Sequence, residues 1–358
     1  MKNKKAIIIP FSIAAVSALL HLIFTLSTDF SDKFNATIAM AFRTVLGKLT
    51  GIFPFSLAEF ILYSIPIIIA CIVIITKKRK KSMKHALATL VYCAICTVVG
   101  IYALFILTFA SGYNCSPLNE RLDIERNKIS AEELFDTLTY VTEKTNNAAK
   151  NITFNEDGSS SLPYSYNELS KNISNSYEKV YSKKELGYTF YSKVKSIAIS
   201  PLMTYTHISG IYSFFTGEAN INTNYPDYVC AFSAAHEMAH QRGISKEDEA
   251  NFTAYLICIE SDDPYLVYSG YLSMFNYLAS ALKTADNDLY TEATSKLCKE
   301  AKGELYAYSV FFEKYRDNAA SKVSDVVNDT YLKSQGTEGV KSYGMVVDLA
   351  VAYHKTHK

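Results

Sequence analysis

His236, Glu237 and His240 form the pattern HExxH. On a helix, residues four apart share one face. Two imidazoles so placed can take two corners of a tetrahedral Zn²⁺ site. Glu237 beside them can accept a proton from water polarised by the ion and later deliver it to a leaving amine. That is the chemistry of peptide-bond hydrolysis. The plainer alternative is a helix whose His and Glu side chains are only hydrogen-bonded or exposed.

Two ligands do not make a site, so a third must come from nearby. Gly243 is suited to end the first helix. A second helix is expected to open with Ser245 as N-cap and Asp248 at its third position. Its acidic candidates are Glu247, Asp248 and Glu249. Helical spacing groups Glu247 with Ala250, Asn251, Ala254 and Cys258. That mostly small face lets the second helix approach the first closely. Glu249 shares its face with Phe252, Thr253 and Leu256, which suit packing elsewhere. Glu247 is therefore the expected third ligand and Asn251, one turn on, the residue that orients a ligating ring. Glu249 remains the alternative. Acids in a helix's first turn are also favoured by its dipole alone, and that must account for at least two of the three.

HExxH followed by a helix carrying E-x-x-A-(N/D) resembles the gluzincin metallopeptidases, including the ImmA/IrrE-type enzymes and the membrane-bound prenyl-protein endopeptidases. The resemblance implies zinc and places the third ligand at Glu247. The chain departs from these families in spacing, with only six residues between His240 and Glu247. The segment His240 to Gly243 is similar to the metzincin HxxG, but a third metzincin His would fall at Lys246. A broader resemblance covers nearly the whole chain. NCSPLNERL, FFTGEANIN, HEMAHQRGISKEDEANFTAYL, YSGYL and NDTYLKSQGTEGVKSYGMVVDL resemble a family of bacterial membrane proteins of unknown function with a zincin-type motif. It implies a fold and a metal but no substrate.

The elements that must hold this site divide unevenly along 358 residues. Residues 6–26, 53–76 and 86–110 are each apolar over a length that can cross a bilayer. The first run is too long for the core of a cleaved signal peptide and lacks a small-residue cleavage site. Lys2, Lys4 and Lys5 precede the first run, and Lys77, Lys78, Arg79, Lys80, Lys81 and Lys84 separate the second from the third. Basic loops favour the cytoplasmic side, so residues 111–358 are expected outside. The connection 27–52 carries mixed charge and reads as a loop. Glu59 reads as an interfacial carboxyl and Pro66 as a kink. A multi-pass plasma-membrane protein follows, with residues 1–110 as the membrane region. No charge network suggests a transporter, and 36 basic against 35 acidic residues exclude a nucleic-acid binder as the default.

Residues 111–358 read as a mainly α, zincin-like α+β domain with a small sheet. Ser130 with Glu133 forms a capping box. An amphipathic region runs through 177–190, and helical patterns cover 265–282 and 301–327. Residues 201–212 suit a strand or hairpin. The zincin resemblance implies that residues 216–222 form an edge strand that pairs with extended substrate, with Glu218 and Asn220 as candidate lining residues; the alternative is a simple turn and strand. His207 and Tyr343 are candidates to stabilise an oxyanion. Cys115, Cys230, Cys258 and Cys298 permit disulfides or free thiols, and CxxC at Cys93 and Cys96 lies within a span. The expected activity is a membrane-anchored zinc metallopeptidase acting on a peptide or protein substrate. The other class is a zinc-bound sensor that binds extracytoplasmic peptides or wall fragments without cutting them.

Overall fold

In the computed structural model, which describes residues 2–79 and 82–357, the apolar runs near the N-terminus are helices. A backbone in lipid has no water to bond, so it must satisfy its polar groups internally. Helices α1 (Lys2–Leu26), α2 (Thr28–Phe34), α3 (Met40–Thr50), α4 (Leu57–Lys78) and α5 (Met83–Thr108) lead the chain. Ile8–Leu26, Leu57–Lys78 and Met83–Thr108 are long and apolar enough to cross a membrane. Their outward residues, such as Ile67, Leu87 and Val98, are uncovered by protein. Serine caps set two of the starts: Ser56 accepts from the Glu59 N–H and Ser82 from the His85 N–H. The second run therefore begins four residues later than expected. Glu59 sits in that first turn and accepts a hydrogen bond from the Tyr63 hydroxyl. Of the basic clusters, Lys80, Lys81 and the side chains of Lys2, Lys4 and Lys5 lie outside the described residues.

Contacts divide the chain into two units, Met1–Cys115 with Ser213–Glu218, and Ser116–Tyr212 with Ala219–Lys358. In the first, residues 27–52 are not the expected loop. They form α2, a π-helical turn (Asn35–Ala39) and α3. The cause is Arg43, a fully buried cation. It donates to the Asn35 side chain and carbonyl at 2.8 and 2.9 Å and to the Thr108 carbonyl at 2.7 Å. A buried guanidinium is tolerable only when so paired. Glu218 in the same unit accepts from the Leu57 and Ala58 N–H groups at 3.0 and 2.9 Å. Those are orphan donors at the start of α4, where an anion also meets the positive end of the helix.

The second unit holds α6 (Leu118–Arg121), α7 (Ala131–Ala149), α8 (Tyr166–Lys183), β1 (Val194–Ser196), α9 (Ser200–Met203), β2 (Gly210–Ser213) and β3 (Glu218–Ile221). Helices α10 (Asp227–Gln241), α11 (Glu247–Ile259), α12 (Pro264–Ala285), α13 (Asn287–Ser295), α14 (Lys299–Glu313), α15 (Ala319–Ser334) and α16 (Val346–Thr356) follow. The unit is mainly helical with one small sheet, ordered β1–β3–β2, in which β1 runs parallel to β3. The capping box at Ser130 and Glu133 is present. Leu138, Leu169, Tyr177, Phe252, Tyr268 and Leu349 fill a core shared by α7, α8, α11, α12 and α16. Each such burial contributes roughly 1.5–3 kcal/mol. Helix α10 enters it with Ala231, Ala234, Ala235 and Ala239, all fully buried, and packs against α11 and α12.

Several expectations are corrected. The helical pattern over 301–327 is two helices, broken at 314–318. Of 201–212, only Gly210–Tyr212 is strand, because Pro201 opens the short α9 instead. β3 is the central strand and β2 an edge. Of the two states the sequence left open for Cys115, Cys230, Cys258 and Cys298, the thiol holds: these four form no disulfide, and Cys230 and Cys258 are buried packing residues. Glu218→Ala should destabilise the detergent-solubilised protein by about 1–3 kcal/mol, since two half-buried donors lose their charged acceptor. Thermal melting reads this as a drop of several degrees, and an unchanged midpoint would refute the cap.

Candidate metal centre

The helix carrying HExxH ends where its sequence predicts. Gly243 takes a left-handed φ of +92°. The Gly243 N–H bonds the His240 carbonyl and the Ile244 N–H reaches back to the Ala239 carbonyl, the pairing of a glycine-terminated helix end. This turn presents the Ile244 carbonyl to His240 Nδ1 at 2.7 Å. A carbonyl only accepts, so Nδ1 carries the proton and Nε2 is left as a lone pair. His236 is fixed similarly. Its Nδ1 lies 2.8 Å from Asn251 Oδ1, while the Asn251 amide nitrogen donates to the Tyr343 carbonyl at 3.4 Å. That second bond sets which end of the amide faces the ring.

Both Nε2 atoms therefore point at the next helix. Glu247 Oε2 stands 3.1 Å from His236 Nε2 and 3.5 Å from His240 Nε2. The three ligand atoms lie within 4.8 Å of one another, and all three residues are buried. Glu247 Oε2 accepts no other hydrogen bond. Buried imidazoles and a carboxylate converging in this way are stabilised by a cation or a shared proton among them. At ligand distances of about 2.0–2.1 Å, two corners of a tetrahedron lie roughly 3.3 Å apart. The observed spacings match that edge, so the residues fit a metal ion.

The electrostatics agree. Burial alone would lower the His240 pKa, but the Glu247 and Glu237 carboxylates and the Ile244 carbonyl raise it to about 9. Burial would raise the Glu247 carboxyl, yet the two imidazoles pull it well below the usual range. Glu237 is pushed up by burial, against the pull of the same imidazoles. The Tyr212 N–H on β2 donates to its carboxylate. Gly210 on that strand lies against it: a Cβ there would stand 2.6 Å from Glu237 Oε1.

The three acids of α11 have three partners. Glu247 faces the imidazoles. Asp248 pairs with Arg126 at 2.9 Å, and Arg126 also donates to the Met345 carbonyl at 3.1 Å. Glu249, the alternative ligand, accepts from the Leu118 N–H at 3.1 Å and meets Lys246 at 3.5 Å. It is turned away from the cluster. The helix also starts one residue later than expected: Lys246, not Ser245, is the N-cap, with extended backbone and no side-chain cap. The acids of the first turn take over that stabilisation.

His236 and Glu237 open onto a cleft of about 650 Å³. His207 and Tyr343 both line it. His207 Nε2 is held by the Tyr315 carbonyl at 2.6 Å. Tyr343, on the 3-10 turn Gly339–Met345, receives a bond from Asn328 at 3.3 Å, and burial with the neighbouring Glu247 raises its phenol strongly. Glu218 and Asn220 do not line the cleft. Glu218 caps α4, and Asn220 donates to the Ile211 carbonyl within the sheet. Arg126, Gly210, Tyr212 and Ile244 were not signalled by the sequence. Arg126 and Gly210 act across 122 and 27 positions, and Tyr212 and Ile244 act through backbone atoms that any residue carries.

What these features define is a mainly helical protein with three membrane-length helices and a buried His–His–Glu cluster fit to hold a metal ion. It belongs to the family described as "Protein of unknown function (DUF3810)", whose model matches residues 34–351. No curated protein and no solved structure matches the chain.

The metal-free protein allows a signed pH test. The His240 pKa of about 9 exceeds the unfolded value of about 6.5. Its contribution is complete below about 6.5 and lost as pH rises through about 9. Chelated protein should therefore melt progressively lower between pH 7 and 9, and Glu247→Gln should flatten that slope. Metal-loaded protein should not follow it, because the ion replaces the proton. Asn251→Ala should weaken metal affinity about 10–100-fold, read by competition with a chromophoric chelator.

Proposed function

We propose that the chain is a membrane-anchored, zinc-dependent metallopeptidase with a gluzincin-like site. Zn²⁺ is held by His236, His240 and Glu247, and Glu237 is the general base. The observation that carries the reading is the convergence of His236 Nε2, His240 Nε2 and Glu247 Oε2 with Glu237 beside them at the mouth of one cleft. A purely structural metal site has no use for a fourth residue, a second acid, at its open side. On the positive-inside rule, Lys77, Lys78, Arg79 and Lys84 place the N-terminus in the cytoplasm and the second unit outside. The partners are then the lipid bilayer and an extracytoplasmic peptide or protein.

A bound zinc ion would polarise a peptide carbonyl and acidify water. Glu237 takes the proton of that water. Tyr212 and Gly210 keep its carboxylate in place. Tyr343 is the better placed of the two oxyanion candidates. Its phenol stays protonated and faces the acids of the site, whereas His207 is committed to the Tyr315 carbonyl. It donates to the oxygen on which negative charge develops.

The test uses full-length protein in detergent and a peptide-library digest. Glu237→Gln should reduce kcat by about 10²–10⁴ with metal content unchanged. Full activity in that variant refutes the base, and a metal-loaded wild type that cleaves nothing refutes the peptidase. Tyr343→Phe should lower kcat by about 10²-fold with KM little altered.

A further inference from the structure

The cleft says what kind of peptide would lie in it. Its lining residues on α10 run from Tyr228 to Glu237. Nine steps at 1.5 Å make a trough of about 13 Å leading away from the metal cluster. An extended chain rises about 3.3 Å per residue, so that length spans about four residues. The walls are rings, amides and hydroxyls, among them Phe232, Tyr277, Tyr308, Asn276 and Ser273. Burial pushes the Tyr277 phenol up to about 12, so it stays neutral.

Charge is scarce along this trough. Among the described residues that line it, none is Lys or Arg, and besides His236 and Glu237 at the metal-cluster end only His207 and Asp325 are titratable acids or bases other than tyrosine. His207 bonds the Tyr315 carbonyl. Asp325 is exposed at the rim on α15, where water screens it. A charged side chain entering the trough would lose its hydration and find no counter-ion. Amide, hydroxyl, aromatic and apolar side chains lose little and find donors, acceptors or ring faces.

We infer that the cleft selects an extended peptide stretch of about four residues with uncharged side chains on one side of the scissile bond. The inference rests on the peptidase reading only for the position of that bond. It is tested on metal-loaded, full-length Glu237→Gln, using fluorescent peptides in which each of four positions on either side of a central bond is in turn Ser, Asn, Tyr, Lys or Glu. Lys or Glu should weaken binding at least tenfold across consecutive positions on one side and less on the other. Equal binding of charged and neutral peptides, selection at a single position, or no binding overturns it. Ser273→Phe, which puts a ring into the trough, should weaken the neutral peptides at least tenfold while metal stoichiometry holds; unchanged binding would locate the peptide elsewhere. Selective binding with no cleavage by wild type leaves this inference standing and removes the peptidase. Cleavage without charge selection does the reverse.

Discussion

Two imidazole lone pairs and a carboxylate oxygen cannot share one small buried volume unless positive charge sits among them. That constraint organises the second unit. Each ring is held by the nitrogen it does not direct at the cluster, one through the Ile244 carbonyl and one through Asn251. Neither ring can turn away without breaking a short bond in a buried setting. The all-alanine flank of α10 then lets α11 come close enough for Glu247 to complete the group.

The first turn of α11 divides labour among three consecutive acids. One faces the imidazoles, one is clamped by Arg126, and one receives a backbone N–H from the start of α6. The flanking two fix the rotation of the helix about its axis, and that rotation aims Glu247. The short link from His240 is sufficient because the glycine turn reverses the chain at once. Arg126 also reaches the Met345 carbonyl, so one guanidinium holds the start of α11 and the turn that carries Tyr343.

Much of this was legible in the residue order. The helical repeat put His236 and His240 on one face, and the small-residue face of α11 pointed to Glu247 and Asn251. Three apolar runs announced the membrane-length helices. What failed had physical causes. The mixed charge of 27–52 suggested a loop, because sequence cannot show that Arg43 is buried against three acceptors. Local β propensity drew a strand across 201–212, where Pro201 starts a helix. Glu218 looked like a cleft residue from its nearness to the HExxH helix, while its partners lie some 160 positions away. Pattern reports periodicity within an element; it is silent on which distant backbone atoms an acid will meet.

The hairpin tip 213–218 belongs to the first unit while the strands leading into and out of it belong to the second. A soluble fragment cut after residue 115 would keep that tip and discard what it was built to meet. Glu218, 1% exposed in the intact chain, would be stripped of the α4 amides, and Gly217 would lose the Leu46 side chain it presses against. Tyr212, the residue just before that tip, carries the amide that steadies Glu237. Trimming the chain there thus takes away the partners of the ribbon that carries Tyr212.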